Sequence, residues 1–161
     1  MVAVDLSAME CSIARTLDVI GDRWSLLILR DAFYGVRRFD VFQRDLGVAR
    51  NILTDRLTKL VGHGVLERHQ YEERPPRFEY RLSDKGKALM PVLISMMRWG
   101  DEWAGPNGMP PVTLTHTTCG EVTRPLVVCE HCREELTLRN LRVHPIRIEG
   151  AAPPETVATP A

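Results

Sequence analysis

Between Ser12 and Val61 the apolar residues recur at helical spacing in four short blocks. Ile13, Leu17 and Ile20 predict a helix over Ser12–Ile20, which Gly21 ends. Arg23–Phe33 is mostly apolar and predicts a central, well-buried helix ended by Gly35. Phe39, Phe42 and Leu46 share one face of a third helix, Phe39–Leu46, closed by Gly47. Leu53, Leu57, Leu60 and Val61 point inward from a fourth, Arg50–Val61.

The period then changes. Val65–Tyr71 alternates and predicts a strand; Phe78–Leu82 alternates cleanly and predicts its return. The stretch EERPPR between them reads as a turn, since consecutive prolines cannot join a ladder. Ser83 is a good N-cap for a last helix, about Asp84–Trp103. That helix carries Leu89, Val92, Leu93, Met96, Met97 and Trp103 in a broad apolar stripe. The expected fold is α+β and mainly helical: a helix-turn-helix pair joined through GVA, followed by a two-stranded wing. In that arrangement the fourth helix enters the major groove of DNA and the wing lies along the backbone.

Opposite Leu53 and Leu57 the fourth helix carries Asn51, Thr54, Asp55, Thr58 and Lys59, small polar or cationic groups suited to base edges and phosphates. Arg50 stands at the helix start and Arg56 on its flank. Arg38, ahead of the third helix, and Arg74 and Arg77, at the wing tip, complete the expected DNA-binding set. For any one of these residues the competing reading is a solvated charged face; order, spacing and wing charge together favour DNA.

Net charge does not decide the matter. The 161 residues hold 21 Lys and Arg against 21 Asp and Glu. Gly35–Lys87 alone has twelve basic and eight acidic residues, a local excess of +4. Hydrophobic residues at 44% exclude a wholly disordered chain. The longest uncharged apolar run, Ala88–Met97, is far short of the roughly 20 residues of a membrane span. MVAVDLSAME has no basic start or apolar stretch of a secretory signal, so the expected location is cytoplasmic.

AGPNGMPP, Ala104–Pro111, stops any helix and marks an expected boundary. The expected domains are a DNA-binding unit over residues 1–104, a small extension over 112–149 and a disordered Pro/Ala-rich tail over 150–161. The extension holds His116-x2-Cys119 and Cys129-x2-Cys132, with His131 and His144 nearby. Four soft ligands suit a structural, tetrahedral Zn, and a segment with little core gains most from such a staple. Strands are expected at Val112–Thr117, Leu126–Val128 and Leu136–Leu138. Free core thiols, or a redox pair at Cys129 and Cys132, are the other readings. A full zinc ribbon carries Gly after the second ligand of each knuckle, and here Arg133 follows Cys132.

DVIGDRW, LLILRD, RRFDVFQRDL, ILTDRLTKL, GVLER and YRLSDKGKAL, in that order, resemble the HxlR family of bacterial winged-helix transcription regulators, relatives of the MarR group. The resemblance covers about Cys11 to Trp103. It implies a homodimer on a palindromic operator in double-stranded DNA, with the first and last helices forming the dimer interface. It also implies that an electrophile, an oxidant or a small-molecule effector controls binding. Cys11 stands at the position of the family's sensing cysteine, and a helix N-terminus stabilises a thiolate. The family commonly has Pro after this cysteine, whereas Ser12 follows here. Ser7–Glu10 also forms a capping box, which would start the helix earlier and place Cys11 inside it.

No GxGxxG, GxxxxGK[ST] or GxSxG motif occurs, and no HExxH pattern supplies a catalytic base beside a metal. The expectation is a regulator rather than an enzyme. Trp24, Trp99 and Trp103 read as core or dimer anchors, with Trp99 and Trp103 also placed to line an effector pocket. The alternative function is a winged-helix protein-interaction module with a zinc-stapled extension.

Overall fold

The computed structural model describes residue 6 and residues 9–105 and 110–144. Contacts divide the chain into two units, Met1–Pro125 and Leu126–Ala161. In the first, α1 (Ser12–Ile20), α2 (Arg23–Phe33), α3 (Phe39–Leu46) and α4 (Arg50–Gly62) precede the hairpin β1 (Leu66–Glu73) and β2 (Pro76–Leu82). Then come α5 (Asp84–Lys87), α6 (Met90–Trp103) and a short pair, β3 (Leu114–Thr115) and β4 (Val122–Thr123). This is the expected α+β winged helix-turn-helix with a two-stranded antiparallel wing.

The helices begin and end where local chemistry dictates. Asp22 caps α2: its carboxylate accepts the amides of Trp24 and Ser25, each at 3.0 Å. The turn between α3 and α4 runs through Gly47 at φ +61°, a left-handed conformation that costs other residues strain. Ile28 and Leu29 of α2, Phe42 of α3 and Leu53, Leu57 and Leu60 of α4 are fully buried in one cluster with Val65 and Leu66. Each such side chain contributes about 1.5–3 kcal/mol. Three turns of leucine anchor α4, so its other face is left to solvent.

The wing is longer than the alternation predicts. Pairing runs from Leu66 with Leu82 to Glu73 with Pro76, leaving Arg74 and Pro75 as the turn. The prolines do not end the ladder early, because Pro76 is the first residue of a strand in a two-stranded ribbon, where a missing N–H is tolerated. A register shift leaves Tyr71 unpaired between Gln70 and Glu72, a bulge. A further pairing ties the loop before α3 to the wing: Arg38 bridges Glu79, and the Tyr80 amide donates to the Arg37 carbonyl at 2.8 Å.

The expected last helix, Asp84–Trp103, is two helices. Pro91 lacks an amide and fits only a first turn, so α6 starts afresh at Met90. The short α5 is fixed to the wing base. Ser83 Oγ accepts the Gly86 amide at 3.0 Å and donates to the Gly64 carbonyl at 2.6 Å. A Cβ on Gly86 would lie 2.2 Å from the Val65 carbonyl oxygen.

Downstream, the strands differ from expectation. Only Leu114–Thr115 of the first expected strand is one, and it pairs with Val122–Thr123, which pattern alone had not marked. Leu126–Val128 and Leu136–Leu138 form no ladder; one bridge joins Val128 to Glu135, and the Leu136 amide donates to Val127. The expected extension, 112–149, is divided between the units. Pro111, Val112 and Leu114 line a cavity with α2 and α6, which holds the start of that segment to the first unit. The expected tail at 150–161, and Ser7 of the capping box, lie outside the described residues. Among the described residues no helix is long and apolar enough to cross a membrane.

Candidate nucleic-acid interface

With Leu53, Leu57 and Leu60 buried, α4 turns Arg50, Asn51, Thr54, Asp55, Thr58 and Lys59 outward, all exposed. Arg50, Asn51, Thr54, Asp55 and Thr58 line one shallow depression. The threonine hydroxyls donate back along the helix, Thr54 to the Arg50 carbonyl at 2.9 Å and Thr58 to Thr54 at 2.7 Å. The Arg50 guanidinium lies 5.0 Å over the Phe39 ring, which props it at the helix start.

Three members of the expected set on α4 are held by ion pairs. Asp55 Oδ2 is 3.1 Å from Arg56 Nη1 and 3.5 Å from Lys59 Nζ. Arg56 also reaches Asp22, Nε to Oδ1 at 3.1 Å, with its side chain 26% exposed. Arg56 therefore faces α2 more than it faces solvent.

The wing supplies the remaining cations. Arg74 is exposed at the turn, and among the described residues no acid lies within ion-pair distance of it. Arg77 pairs across the ladder with Glu72 at 3.2 Å. Arg38 stands at the N-cap position of α3 in the bridged loop, with no side-chain capping bond, and its guanidinium lies 4.8 Å over the ring of Tyr71, the bulge residue. Arg68 stacks on Phe78 at 3.5 Å. The sequence reading missed Tyr71 and Arg68. Their placement depends on a bulge and on cross-strand neighbours, neither of which alternation alone reveals.

Cys11 is exposed and is the N-cap of α1, extended at φ −137°, with no side-chain capping bond. The helix starts at Ser12, and the described residues Met9 and Glu10 form bends ahead of it. Among the described residues, α1 and α6 each leave apolar side chains uncovered. Ile13 and Leu17 on α1 are 72% and 48% exposed; Trp99 and Trp103 on α6 are 63% and 70% exposed. Between α2 and α6 lies a cavity of about 570 Å³ lined by Leu26, Phe33, Tyr34, Leu93, Met97 and Leu114 among others; Trp99 and Trp103 do not line it. At its wall, buried Asp31 pairs with Arg30 at 2.8 Å through Oδ1, while Oδ2 has no partner among the described residues.

The expected metal ligands come together as two pairs. His116 Nδ1 and Cys119 Sγ are 3.3 Å apart in the first unit. In the second, the Cys129 thiol is held below its ordinary range, first by the backbone amide of Cys132, then by that of His131 and by the Cys132 thiol. Among the described residues no three His, Cys, Asp or Glu side chains converge on one point.

Comparison with known proteins matches this arrangement. The sequence pattern of a family described as HxlR-like helix-turn-helix matches residues 19–108. A relative from Mycobacterium tuberculosis, called an uncharacterised HTH-type transcriptional regulator, is 46% identical over 134 residues, covering 83% of this chain and 85% of the relative. The crystal structure of PA1607, described as a candidate transcription factor, superposes with a TM-score of 0.76 at 41% identity, over 86% of this chain and 96% of that one. The redox regulator HypR in its reduced form matches with a TM-score of 0.54 at 32% identity, over 57% of this chain and 92% of that one.

Proposed function

The chain belongs to the HxlR-like helix-turn-helix family, and from that premise we propose that it is a dimeric repressor or activator that binds a palindromic operator and releases it on an effector signal. That it is a helix-turn-helix transcriptional regulator follows from the family; operator, dimer and effector are the proposal. The observation that carries it is the outward face of α4, Arg50 to Lys59, beside a wing whose tip presents Arg74.

The uncovered apolar side chains of α1 and α6 favour a second copy as partner, because exposed tryptophan and isoleucine in that number are costly to leave wet. A two-fold dimer sets two copies of α4 roughly 34 Å apart, one duplex turn, and so calls for a palindrome. Selection of duplex fragments from a random pool, followed by titration at several salt concentrations, tests this. A palindromic consensus is expected, with affinity that falls steeply with salt. Weak, salt-insensitive binding with no consensus sinks the reading in favour of a protein-interaction module.

For the signal, the exposed thiol of Cys11 at the start of α1 favours an electrophile or oxidant, and one structural neighbour is called a redox regulator. Modification at a helix that forms the dimer face would alter the spacing of the two recognition helices. The cavity between α2 and α6 offers a small-molecule effector a second entry to the same helices. Treating wild type and Cys11→Ser with diamide or a quinone separates the two: if both release DNA alike, Cys11 is not the sensor.

A further inference from the structure

Two helical stripes of one spacing line the cavity of about 570 Å³ within the first unit. On α2 and its C-cap they are Leu27, Arg30, Asp31 and Tyr34, three and four residues apart. On α6 the same spacing brings Met90, Leu93, Ile94 and Met97. The α6 stripe is wholly apolar. Among the lining residues only Arg30 and Asp31, both on α2, carry charge.

Asp31 is 5% exposed. Its Oδ1 accepts from Nε and Nη2 of Arg30, each at 2.8 Å. Its Oδ2 is buried and has no partner among the described residues. A buried acceptor left unmade is costly, and a carboxylate oxygen gains more from a donor than a neutral one does. Methionine, leucine and isoleucine have no N–H or O–H in the side chain, so the α6 stripe cannot supply that donor.

The wall also sorts ligands by charge. An anion would set its own charge against Oδ2 in an apolar surround, with Arg30 already engaged. A cation would be desolvated beside a carboxylate that Arg30 already balances. An uncharged body with a single donor meets the need of Oδ2 without either cost. Apolar bulk follows from the lining, and rings suit methionine sulfur and the faces of Phe33 and Tyr34. Methionine has three rotatable bonds, so the wall can yield around a ring system.

We propose that the cavity between α2 and α6 binds an uncharged, ring-built apolar alcohol whose hydroxyl donates to Asp31 Oδ2. This deepens the small-molecule effector reading and rests on it for one point, that filling the cavity acts on DNA binding. Binding of the alcohol itself stands apart from that reading.

The test uses the full chain and three probes that share one ring skeleton: β-naphthol, naphthalene and β-naphthoate. Calorimetry at neutral pH ranks them, and methyl NMR of the methionines locates them. β-Naphthol is expected to bind at least about tenfold more tightly than naphthalene, with β-naphthoate the weakest. The Met90 and Met97 methyl resonances should shift and that of Met9 should not. In Asp31→Asn, Arg30 claims the amide oxygen and an N–H stands where Oδ2 stood, so the preference for β-naphthol over naphthalene should fall below about threefold. The ranking in wild type needs no variant and holds the proposal to account if Asp31→Asn does not fold. Equal binding of β-naphthol and naphthalene overturns it, as does no binding of either up to the solubility limit. Binding that leaves the Met90 and Met97 resonances unmoved places the ligand elsewhere and also overturns it. So does β-naphthol binding that appears only on dilution to monomer, because a second copy then fills the cavity. Operator affinity is measured with and without β-naphthol: the expected ranking with unchanged affinity upholds the ligand site and sinks the effector reading.

Discussion

Arg56 Nε of α4 lies 3.1 Å from Asp22 Oδ1, the same oxygen that accepts the amides of Trp24 and Ser25 at the start of α2. One carboxylate oxygen thus caps α2 and ties it to α4. Both side chains are less than a third exposed, so the pair is partly shielded from solvent. Arg56 was expected among the phosphate contacts; its geometry gives it a structural task first. Asp22→Ala should cost about 1–2 kcal/mol of stability through the lost cap. Arg56→Ala should cost about 0.5–1 kcal/mol. The double variant should lose less than their sum, because the two share one interaction. Urea denaturation measures all three. An unchanged midpoint in Arg56→Ala, together with a large drop in operator affinity, would return Arg56 to the phosphate set.

The outward face of α4 predicts a division of labour. Asn51 and Arg50 stand in the first turn, where side chains reach base edges. Alanine at either should cost about 1–3 kcal/mol on the preferred operator and relax preference at one position. Lys59 and Arg74 carry charge farther from the helix start. Alanine there should weaken binding to all sequences alike and reduce the salt slope by about one. Fluorescence titration across salt concentrations reads both quantities. If Arg50→Ala and Asn51→Ala bind as wild type does, α4 is not the recognition helix.

Much of this site was legible because helices follow local rules. Leu53, Leu57 and Leu60 at helical spacing fix which side of α4 is buried, and the polar face follows by exclusion. Gly47 marks the end of α3 through its left-handed conformation, whereas Gly21 closes α1 in an ordinary right-handed one. The wing was legible in existence but not in extent, since two prolines in a two-stranded ribbon interrupt less than they do in a wider sheet. The bridge from Arg38 to Glu79 was not legible because it pairs segments far apart in sequence, and the bulge at Tyr71 was not because alternation does not fix the register within the hairpin. The break between α5 and α6 was written in Pro91, yet the continuous apolar stripe on either side masked it.

Gly86 gives a prediction about how wing and last helix are joined. Its Cα approaches the Val65 carbonyl so closely that a Cβ would lie 2.2 Å from the oxygen, and the obstructing atom is backbone. Gly86→Ala must push α5 away from the wing base, straining the Ser83 bonds to Gly64 and Val65. The expected loss is about 1–3 kcal/mol, in the range of overpacked sites. Hydrogen exchange should show it first in the amides of Ser83 and Gly86. Alanine tolerated without loss of thermal stability would mean that this approach relaxes freely.

The uncovered faces of α1 and α6 make the last prediction. Ile13 and Trp103 are 72% and 70% exposed in the isolated chain. If a second copy covers them, each is buried in an apolar interface, and a carboxylate placed there loses its water without gaining a partner. Ile13→Glu and Trp103→Glu should then yield monomers at concentrations where wild type is dimeric by sedimentation. Neither side chain packs in the core cluster, so thermal unfolding of the monomer should remain cooperative. Operator binding separates this effect from a local one. A monomer still presents one intact α4, so affinity for an isolated half-site should be near that of wild type. Affinity for the full palindrome should fall by at least about tenfold, because the second helix no longer binds as part of the same particle. Variants that stay dimeric, or that lose half-site and palindrome binding equally, would show that these faces serve another partner.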